Sequence, residues 1–213
     1  MLLAIVLTAV LSYLAGSINT SLIVSKFKHR DIRKEGSGNA GATNTLRVLG
    51  KASAAIVIIG DALKAFVAVW ISWAVAYYCN ITASESLVLK YIAITFVVIG
   101  HDFPVFFGFK GGKGIVTSVA CIFAVDWRMG IMVLGVGLLA IVLTRFVSLG
   151  SIIGCVLFPL FAYAIHMGET ISYEKMVIIP AVFLGALGIE RHKSNIKKLM
   201  SGTENKVGEK KTN

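Results

Sequence analysis

The sequence is short of the residues that soluble domains place on their surfaces. Only 15% of its 213 residues are charged and 56% are hydrophobic, whereas about a quarter of the residues in a soluble domain are charged. The mean hydropathy is +0.81. Lipid is the alternative solvent, and about 20 apolar residues cross it as a helix. We therefore expect an all-α, polytopic integral membrane helical bundle that forms a single domain over residues 1–213.

Cysteine is also scarce, and its placement argues against two kinds of site. Cys79, Cys121 and Cys155 stand singly in apolar stretches, without the spacing of zinc ligands or of a disulfide framework. We expect no metal and no other cofactor. The apolar run at the N-terminus lacks the basic residues that begin a signal peptide, so we expect it to remain as the first span.

Three familiar motifs are missing. None of the four histidines is followed five residues later by aspartate, and no Gly-x-Ser-x-Gly occurs, so neither a His-x4-Asp acyltransferase box nor a serine elbow is present. Gly112-Lys113 has no glycine at the offset that a Walker loop needs, and Gly114 stands where Ser or Thr would bind magnesium. We therefore expect no nucleotide hydrolysis.

Seven apolar segments follow one another along the chain. The fourth is too short to span comfortably and begins in a glycine-rich stretch, so we expect that stretch to lie in a polar cavity, where irregular backbone is tolerated at membrane depth. A single bent pair in place of the fourth and fifth segments is the alternative. The segments run near residues 2–24, 52–78, 86–105, 114–127, 129–144, 149–167 and 175–189.

Lysine and arginine are distributed unequally between the connections. Of the 21 Lys and Arg residues, 17 fall on one side of the predicted bundle, and only Lys90, Arg128 and Lys175 fall on the other. Positive residues mark the cytoplasmic side, so we expect the N-terminus outside and the C-terminus in the cytoplasm. The net charge of +10 is then a topology signal that also attracts anionic lipid, and we expect no nucleic-acid partner.

Two glycine-rich loops on the cytoplasmic side are suited to phosphate. The first glycine loop, Gly36–Asn44, is followed by Arg47, and the second, Gly111–Gly114, contains Lys113. Glycines let backbone N–H groups approach an anion, and hydroxyl, amide and cationic side chains complete its shell. A solvated turn with a helix cap is the plainer reading of the first loop. The candidate ligands are Ser37, Gly38, Asn39, Gly41, Thr43, Asn44, Arg47, Gly111, Gly112, Lys113, Gly114 and Thr117.

A third polar stretch lies near the C-terminus. Residues 191–200 alternate lysines with Ile196, Leu199 and Met200, which predicts a helix along the membrane interface. His192 and Asn195 are three residues apart and share a face of such a helix, and an interface helix alone does not explain them. Arg145 and Ser148, at the cytoplasmic end of the fifth segment, are either a boundary or a further phosphate contact.

Polar residues also interrupt two of the apolar segments. Asp61 and Lys64 are three residues apart in the second segment, and we expect them to pair with each other because isolated charges are expensive in lipid. His101-Asp102 suggests a base and its orienting carboxylate. Adjacent helical residues do not face each other, so we set that pair aside.

Together the three polar stretches resemble one family, the bacterial acyl-phosphate-dependent glycerol-3-phosphate acyltransferases. The resemblance covers nearly the full length, and Ala40 and Val116 are mild departures from residues common in the family. The matching stretches are Gly36–Asn44 with Arg47; Gly100-His101 through Pro104 and Phe109 to Thr117; and Arg191-His192 to Leu199 with Gly202 and Glu204.

The resemblance implies transfer of a fatty acyl group from acyl-phosphate to glycerol-3-phosphate at a bacterial cytoplasmic (inner) membrane. Lysophosphatidic acid and phosphate would be the products, and a functional link to the enzyme that makes acyl-phosphate would follow. On this reading Ser37, Lys113, His192 and Asn195 act in catalysis, and Arg145, Ser148 and Glu204 join the loop residues in binding. An acyl-phosphate carries a good leaving group, so positioning and oxyanion stabilisation can supply much of the rate.

Two other functions remain open at this point. A transporter or channel for phosphorylated metabolites would also need cationic glycine-rich loops, but its binding groups would lie at mid-membrane and on both sides. A non-catalytic membrane scaffold would leave the loops unexplained.

Overall fold

The fold was obtained as a computed structural model that describes residues 1–168 and 170–208, with side chains described in these ranges except at positions 84 and 171–175. Lys210 and Lys211, which the charge count included, lie outside the described residues, as does position 169 of a predicted external connection. The described residues form helices and connections without a strand, which confirms the all-α prediction. The chain divides into two compact units, Met1–Asp126 and Trp127–Asn213.

The first unit contains five helices. They are α1 (Leu2–Ser17), α2 (Thr20–Phe27), α3 (Ala42–Tyr78), α4 (Ala83–Asp102) and α5 (Ile115–Val125). The predicted first segment is therefore interrupted, because the side chain of Asn19 accepts the backbone N–H of Leu22 at 3.1 Å and caps a new helix there. Helix α3 is bent as well: Gly50 has φ 83° and ψ 179° inside it.

Helix α1 packs closely on α4 through a stripe of small residues. Ala4, Thr8, Ser12 and Gly16 recur every fourth position, and all four are buried. A Cβ at Gly16 would collide with the backbone of Val97. Small residues allow helix backbones to approach in this way within membranes, so this stripe fixes α1 against the helix that leads into the second glycine loop.

The second unit contains α6 (Trp127–Thr144), α7 (Val147–His166), α8 (Ile171–Arg191) and α9 (Lys193–Met200). The backbone leaves the helical region at Asp126, where φ is −148°, so the fourth and fifth predicted segments are two helices rather than a bent pair. Helix α9 confirms the predicted short helix near the C-terminus. Glycines again mediate close packing, since a Cβ at Gly185 would lie 2.6 Å from the carbonyl oxygen of Cys155.

Within the described residues, five segments are long and apolar enough to cross a membrane. A sixth apolar helix, α5, has 11 residues and is as short as the sequence predicts. The number of seven spans stays a prediction. The five segments are Leu2–Phe27, Ala42–Tyr78, Glu85–Phe107, Trp127–Thr144 and Val147–His166.

Candidate active site

The side chain of Asn44 closes the first glycine loop. Its Oδ1 accepts the backbone N–H of Ser37 at 2.8 Å, and its Nδ2 donates to the carbonyls of Ile32 at 3.1 Å and Glu35 at 3.0 Å. Asn44 is only 1% exposed. Because both N–H donors of its amide are used on the segment just before the loop, Asn44 ties the loop to that segment, and its direct contact with a ligand stays a prediction.

The rest of the first glycine loop surrounds the N-terminus of α3. Gly41 precedes the first helical residue, so the N–H groups of the first turn and the helix dipole favour an anion there. Thr43 and Arg47 lie four residues apart on one face of this helix. Ser37, Gly38, Thr43 and Arg47 are exposed, whereas Asn39 is half-buried and Gly41 is buried.

Two arginines before the loop are already paired, and Arg47 is not. Arg30 Nε lies 2.9 Å from Glu35 Oε1, and Arg33 Nε lies 2.9 Å from Asp31 Oδ1. The hydrogen bond from Arg33 lowers the pKa of the Asp31 carboxyl. Arg47 makes no side-chain hydrogen bond or ion pair with any residue that the structure describes. Its guanidinium is therefore available to an anionic ligand.

The second glycine loop is tied to the C-terminal end of α4. The N–H of Gly111 donates to the carbonyl of Asp102, and the N–H of Gly112 donates to the carbonyl of His101, each at 3.2 Å. These bonds use carbonyls that a helix end leaves without intrahelical partners. The loop therefore has a defined position relative to α4.

Lys113 and Thr117 occupy different environments beside this loop. Lys113 is half-buried and is followed by Gly114, whose φ of +65° lies in the left-handed region as it begins α5. Thr117 is fully buried in the first turns of α5, and its Oγ1 makes no hydrogen bond within the described part of the chain. Lys113 is thus accessible at its position between two glycines, whereas Thr117 is buried one turn later.

The two glycine loops touch at Gly112. A Cβ at this position would lie 2.7 Å from the carbonyl oxygen of Ala40 and would collide with the ring of His101. The Ala40 carbonyl also accepts Asn19 Nδ2 at 3.5 Å. The structure therefore brings together, in one place in the first unit, two loops that the sequence separates by about 70 residues.

The second unit holds His192 at the junction of α8 and α9. His192 is 3% exposed, and its Nδ1 lies 2.7 Å from the carbonyl oxygen of Gly188. Because a carbonyl only accepts, Nδ1 carries a proton, and in the neutral form of the ring the lone pair lies on Nε2. Asn195 Nδ2 donates to Glu204 Oε2 at 2.9 Å, so Glu204 orients Asn195.

Arg145 fastens the C-terminal segment to the start of α7. Its guanidinium donates to the carbonyl of Val207, and the N–H of Val207 donates back to the carbonyl of Arg145, both at 2.8 Å. Lys206 Nζ lies 5.5 Å from the centre of the Phe146 ring. Ser148 is buried, and its hydroxyl has no hydrogen-bond partner among the described residues. In this structure Arg145 thus has a structural partner, and its contact with phosphate stays a prediction.

His101, which the sequence analysis set aside, contacts the charged pair in the second predicted segment. Asp61 and Lys64 form the predicted pair, at 2.8 Å. His101 joins them, since its Nδ1 lies 2.7 Å from Lys64 Nζ. The signal was present in the sequence, because charges on one apolar helix require polar partners on another.

The chemistry available to this chain is that of binding and proton transfer. Lys113 and Arg47 offer cationic donors, glycine loops offer backbone donors, and His192 offers an imidazole. Among the residues that the structure describes, no three His, Cys, Asp or Glu side chains are grouped to hold a metal ion. Such groups can bind an anion and stabilise developing negative charge.

The sequence profile of the glycerol-3-phosphate acyltransferase family matches residues 6–202. The chain belongs to that family. It is 42% identical to the glycerol-3-phosphate acyltransferase of Clostridioides difficile (strain 630), over 97% of each chain. It is 46% identical to the enzyme of the same name from Thermoanaerobacter pseudethanolicus, over 96% of each. The resemblance of the three polar stretches to glycerol-3-phosphate acyltransferases is thereby confirmed.

Solved structures agree with this assignment to the glycerol-3-phosphate acyltransferase family. The chain is similar to a crystal structure of PlsY (YgiH), an integral membrane glycerol 3-phosphate acyltransferase, in its glycerol 3-phosphate form. The TM-score is 0.83 at 35% identity over 96% of each chain. The lysophosphatidic acid form of PlsY gives a TM-score of 0.79 at 36% identity, over 96% of this chain and 95% of that one. The chain is therefore an integral membrane protein with several apolar helices.

Proposed function

We propose that this chain transfers a fatty acyl group from acyl-phosphate to glycerol-3-phosphate. The products are lysophosphatidic acid and inorganic phosphate, and the reaction is the first acylation step of phospholipid synthesis. The contact of the two glycine loops at Gly112 carries the proposal, because both substrates bear phosphate and the loops concentrate anion-binding groups. The glycerol 3-phosphate and lysophosphatidic acid forms of the related structure support the same substrate and product.

The reaction needs no acyl-enzyme. A hydroxyl oxygen of glycerol-3-phosphate attacks the acyl carbonyl carbon, the bond from that carbon to the phosphate oxygen breaks, and phosphate leaves with the electron pair. The hydroxyl proton passes either to a phosphate oxygen of the donor or to Nε2 of His192. Backbone N–H groups and cations stabilise the developing negative charge, which accounts for a chain without a serine elbow.

Four residues are proposed to act nearest the chemistry: Ser37, Lys113, His192 and Asn195. Glu204 keeps its proposed place among the substrate-binding residues, and its 2.9 Å hydrogen bond from Asn195 also positions that amide. Phosphate binding is assigned to the remaining candidates, which are Gly38, Asn39, Gly41, Thr43, Asn44, Arg47, Gly111, Gly112, Gly114, Thr117, Arg145 and Ser148.

The donor assignment is tested with the purified full-length chain and labelled glycerol-3-phosphate. Acyl-phosphate should yield labelled lysophosphatidic acid together with an equal amount of inorganic phosphate, and acyl-CoA of the same chain length should yield none. Transfer from acyl-CoA without any from acyl-phosphate would overturn the proposal.

We further propose seven spans in the bacterial inner membrane, with the N-terminus outside and both glycine loops cytoplasmic, and a functional link to the acyl-phosphate-producing enzyme. In intact cells, a cysteine placed at the exposed Ser37 should resist a membrane-impermeant thiol reagent and react after permeabilisation. A cysteine at Thr82, in a predicted external connection, is the matched control and should react in intact cells. Labelling of the Ser37 site from outside would reverse the orientation.

A further inference from the structure

Asp61, Lys64 and His101 form a charged cluster in the first unit. Lys64 Nζ lies 2.8 Å from Asp61 Oδ1 and 2.7 Å from His101 Nδ1, and His101 Nδ1 lies 3.5 Å from Asp61 Oδ1. The three side chains are at most 7% exposed. The cluster therefore joins α3 to the end of α4 inside the predicted membrane region.

The contacts define where the protons lie. An ammonium group only donates, so Lys64 donates both to the Asp61 carboxylate and to Nδ1 of His101. With Nδ1 accepting from the ammonium, a neutral His101 ring carries its proton on Nε2. Nε2 is the atom that a Cβ on Gly112 would strike. The Nε2 side of His101 thus lies against the second glycine loop.

The cluster also holds the break between α1 and α2. Lys64 Nζ donates to the carbonyls of Gly16 at 3.3 Å and Ile18 at 3.4 Å, where α1 ends. Thr20, at the start of α2, donates to Asp61 Oδ1 at 3.4 Å. A cation at a helix C-terminus is favourable. Asp61 and Lys64 therefore contact four helices. Burying two charges costs desolvation free energy that an apolar pair of similar size would avoid, so the contacts of this pair call for an explanation other than stability.

We propose that this charged cluster positions the second glycine loop, and with it Lys113, for binding a phosphate group. His101 touches the loop twice, since its ring packs on Gly112 and its carbonyl accepts the Gly112 N–H at 3.2 Å. Gly112 in turn touches Ala40 of the first loop. Asp61, Lys64 and His101 are positioning residues that act through the backbone. The inference rests on the proposed function, because Lys113 is taken to bind substrate phosphate.

Two sets of substitutions disrupt the charged cluster in different ways, and both should weaken phosphate binding. His101→Ala removes the ring, and the paired change Asp61→Asn with Lys64→Met removes both charges without leaving either unpaired. Each should raise the KM of at least one phosphate substrate about tenfold while kcat stays within threefold, because a positioned binding group serves ground and transition states alike. The triple variant should be no worse than the worse of these two, because the three residues act as one unit.

His166→Ala is the matched control. His166 is a buried histidine, 4% exposed, in α7 of the other unit, and its loss should leave both KM values within twofold. If His101→Ala does not fold, as judged by thermal unfolding and gel filtration, His101→Asn takes its place because the amide keeps an acceptor for Lys64 while losing the atoms against Gly112. Unchanged KM values, or effects that multiply in the triple variant, would overturn the positioning role.

A second readout separates this inference from the donor assignment. Binding of inorganic phosphate to the full-length chain, followed by ³¹P NMR, does not require acyl transfer. His101→Ala should weaken phosphate binding about tenfold even if the wild-type chain proves inactive with acyl-phosphate. Equal phosphate affinity in His101→Ala and wild type would reject the positioning role while leaving the reaction untouched.

Discussion

Lys113→Ala and Arg47→Ala should each lose about 10- to 100-fold in kcat/KM for acyl transfer while the protein remains folded. A charge-assisted hydrogen bond to phosphate contributes about 1.5–3 kcal/mol, and each ~1.4 kcal/mol is a factor of ten in rate. Arg47 makes no ion pair with the described residues, and Lys113 lies half-buried between two glycines. Steady-state kinetics with each substrate varied in turn is the measurement.

Neighbouring cations supply the controls for these two variants. Lys110→Ala removes an exposed lysine just before the second glycine loop, and Lys51→Ala removes one a turn after Arg47. Both should keep wild-type kinetics, because a general effect of surface charge is screened by salt. Near-wild-type kcat/KM for glycerol-3-phosphate in both Lys113→Ala and Arg47→Ala would reject the phosphate-binding assignment of the loops.

His192→Ala should lower kcat about 10²- to 10⁴-fold if His192 is the general base. In that case kcat should also fall on acidification, as Nε2 becomes protonated. If a phosphate oxygen of the donor takes the proton, His192 is mainly a positioning group. Its loss should then weaken binding more than chemistry, and we favour this second hypothesis, since Nδ1 is held by the carbonyl of Gly188 and not by a carboxylate.

His192→Gln separates the two hypotheses. Glutamine keeps an amide that can hydrogen-bond but cannot act as a base near neutral pH. A Gln variant with a tenth or more of the wild-type kcat supports positioning, whereas one as inactive as His192→Ala, with substrate binding intact, makes His192 the base. His166→Gln is the control for the loss of a buried imidazole in the same unit and should keep the wild-type kcat.

Five of the seven predicted apolar segments overlap the long apolar segments found among the described residues, because the thickness of the bilayer sets the hydrophobic length of a span. The break at Asn19 was missed, since Ile18 and Leu22 keep the run apolar while one side chain accepts the Leu22 N–H and starts a new helix. For the polar loops, the sequence predicted which residues they contain but not how their backbone folds. Asn44 donates both of its N–H groups to carbonyls just before the loop. This arrangement depends on a turn between Ile32 and Ser37, and helical spacing in the sequence does not predict such a turn.

The charged cluster also could be predicted only where its contacts are local in the sequence. Asp61 and Lys64 were paired from their i, i+3 spacing, because that contact is local. The place of His101 depends on how α4 packs on α3, and no pattern within either helix specifies it. The rule that adjacent residues on a helix do not face each other gave no information on the partner that His101 has across the helix interface.

The bend at Gly50 has a consequence for where the N-terminus of α3 lies relative to lipid. At about 1.5 Å per residue, the 37 residues of α3 would form a straight rod of about 55 Å, against about 30 Å of hydrocarbon. The part after Gly50 alone exceeds the thickness of the hydrocarbon.

A straight rod would carry Thr43 about 10 Å and Arg47 about 5 Å farther outward than Gly50 along its axis. The bend at Gly50 turns the first two turns of α3 out of this direction, and the longer part after Gly50 still tilts to fit the hydrocarbon. In the proposed topology the N-terminus of α3 then lies closer to the level of the lipid phosphates than it would in a straight rod. Under the proposed function, a lipid product formed there would already lie at its own depth in the bilayer.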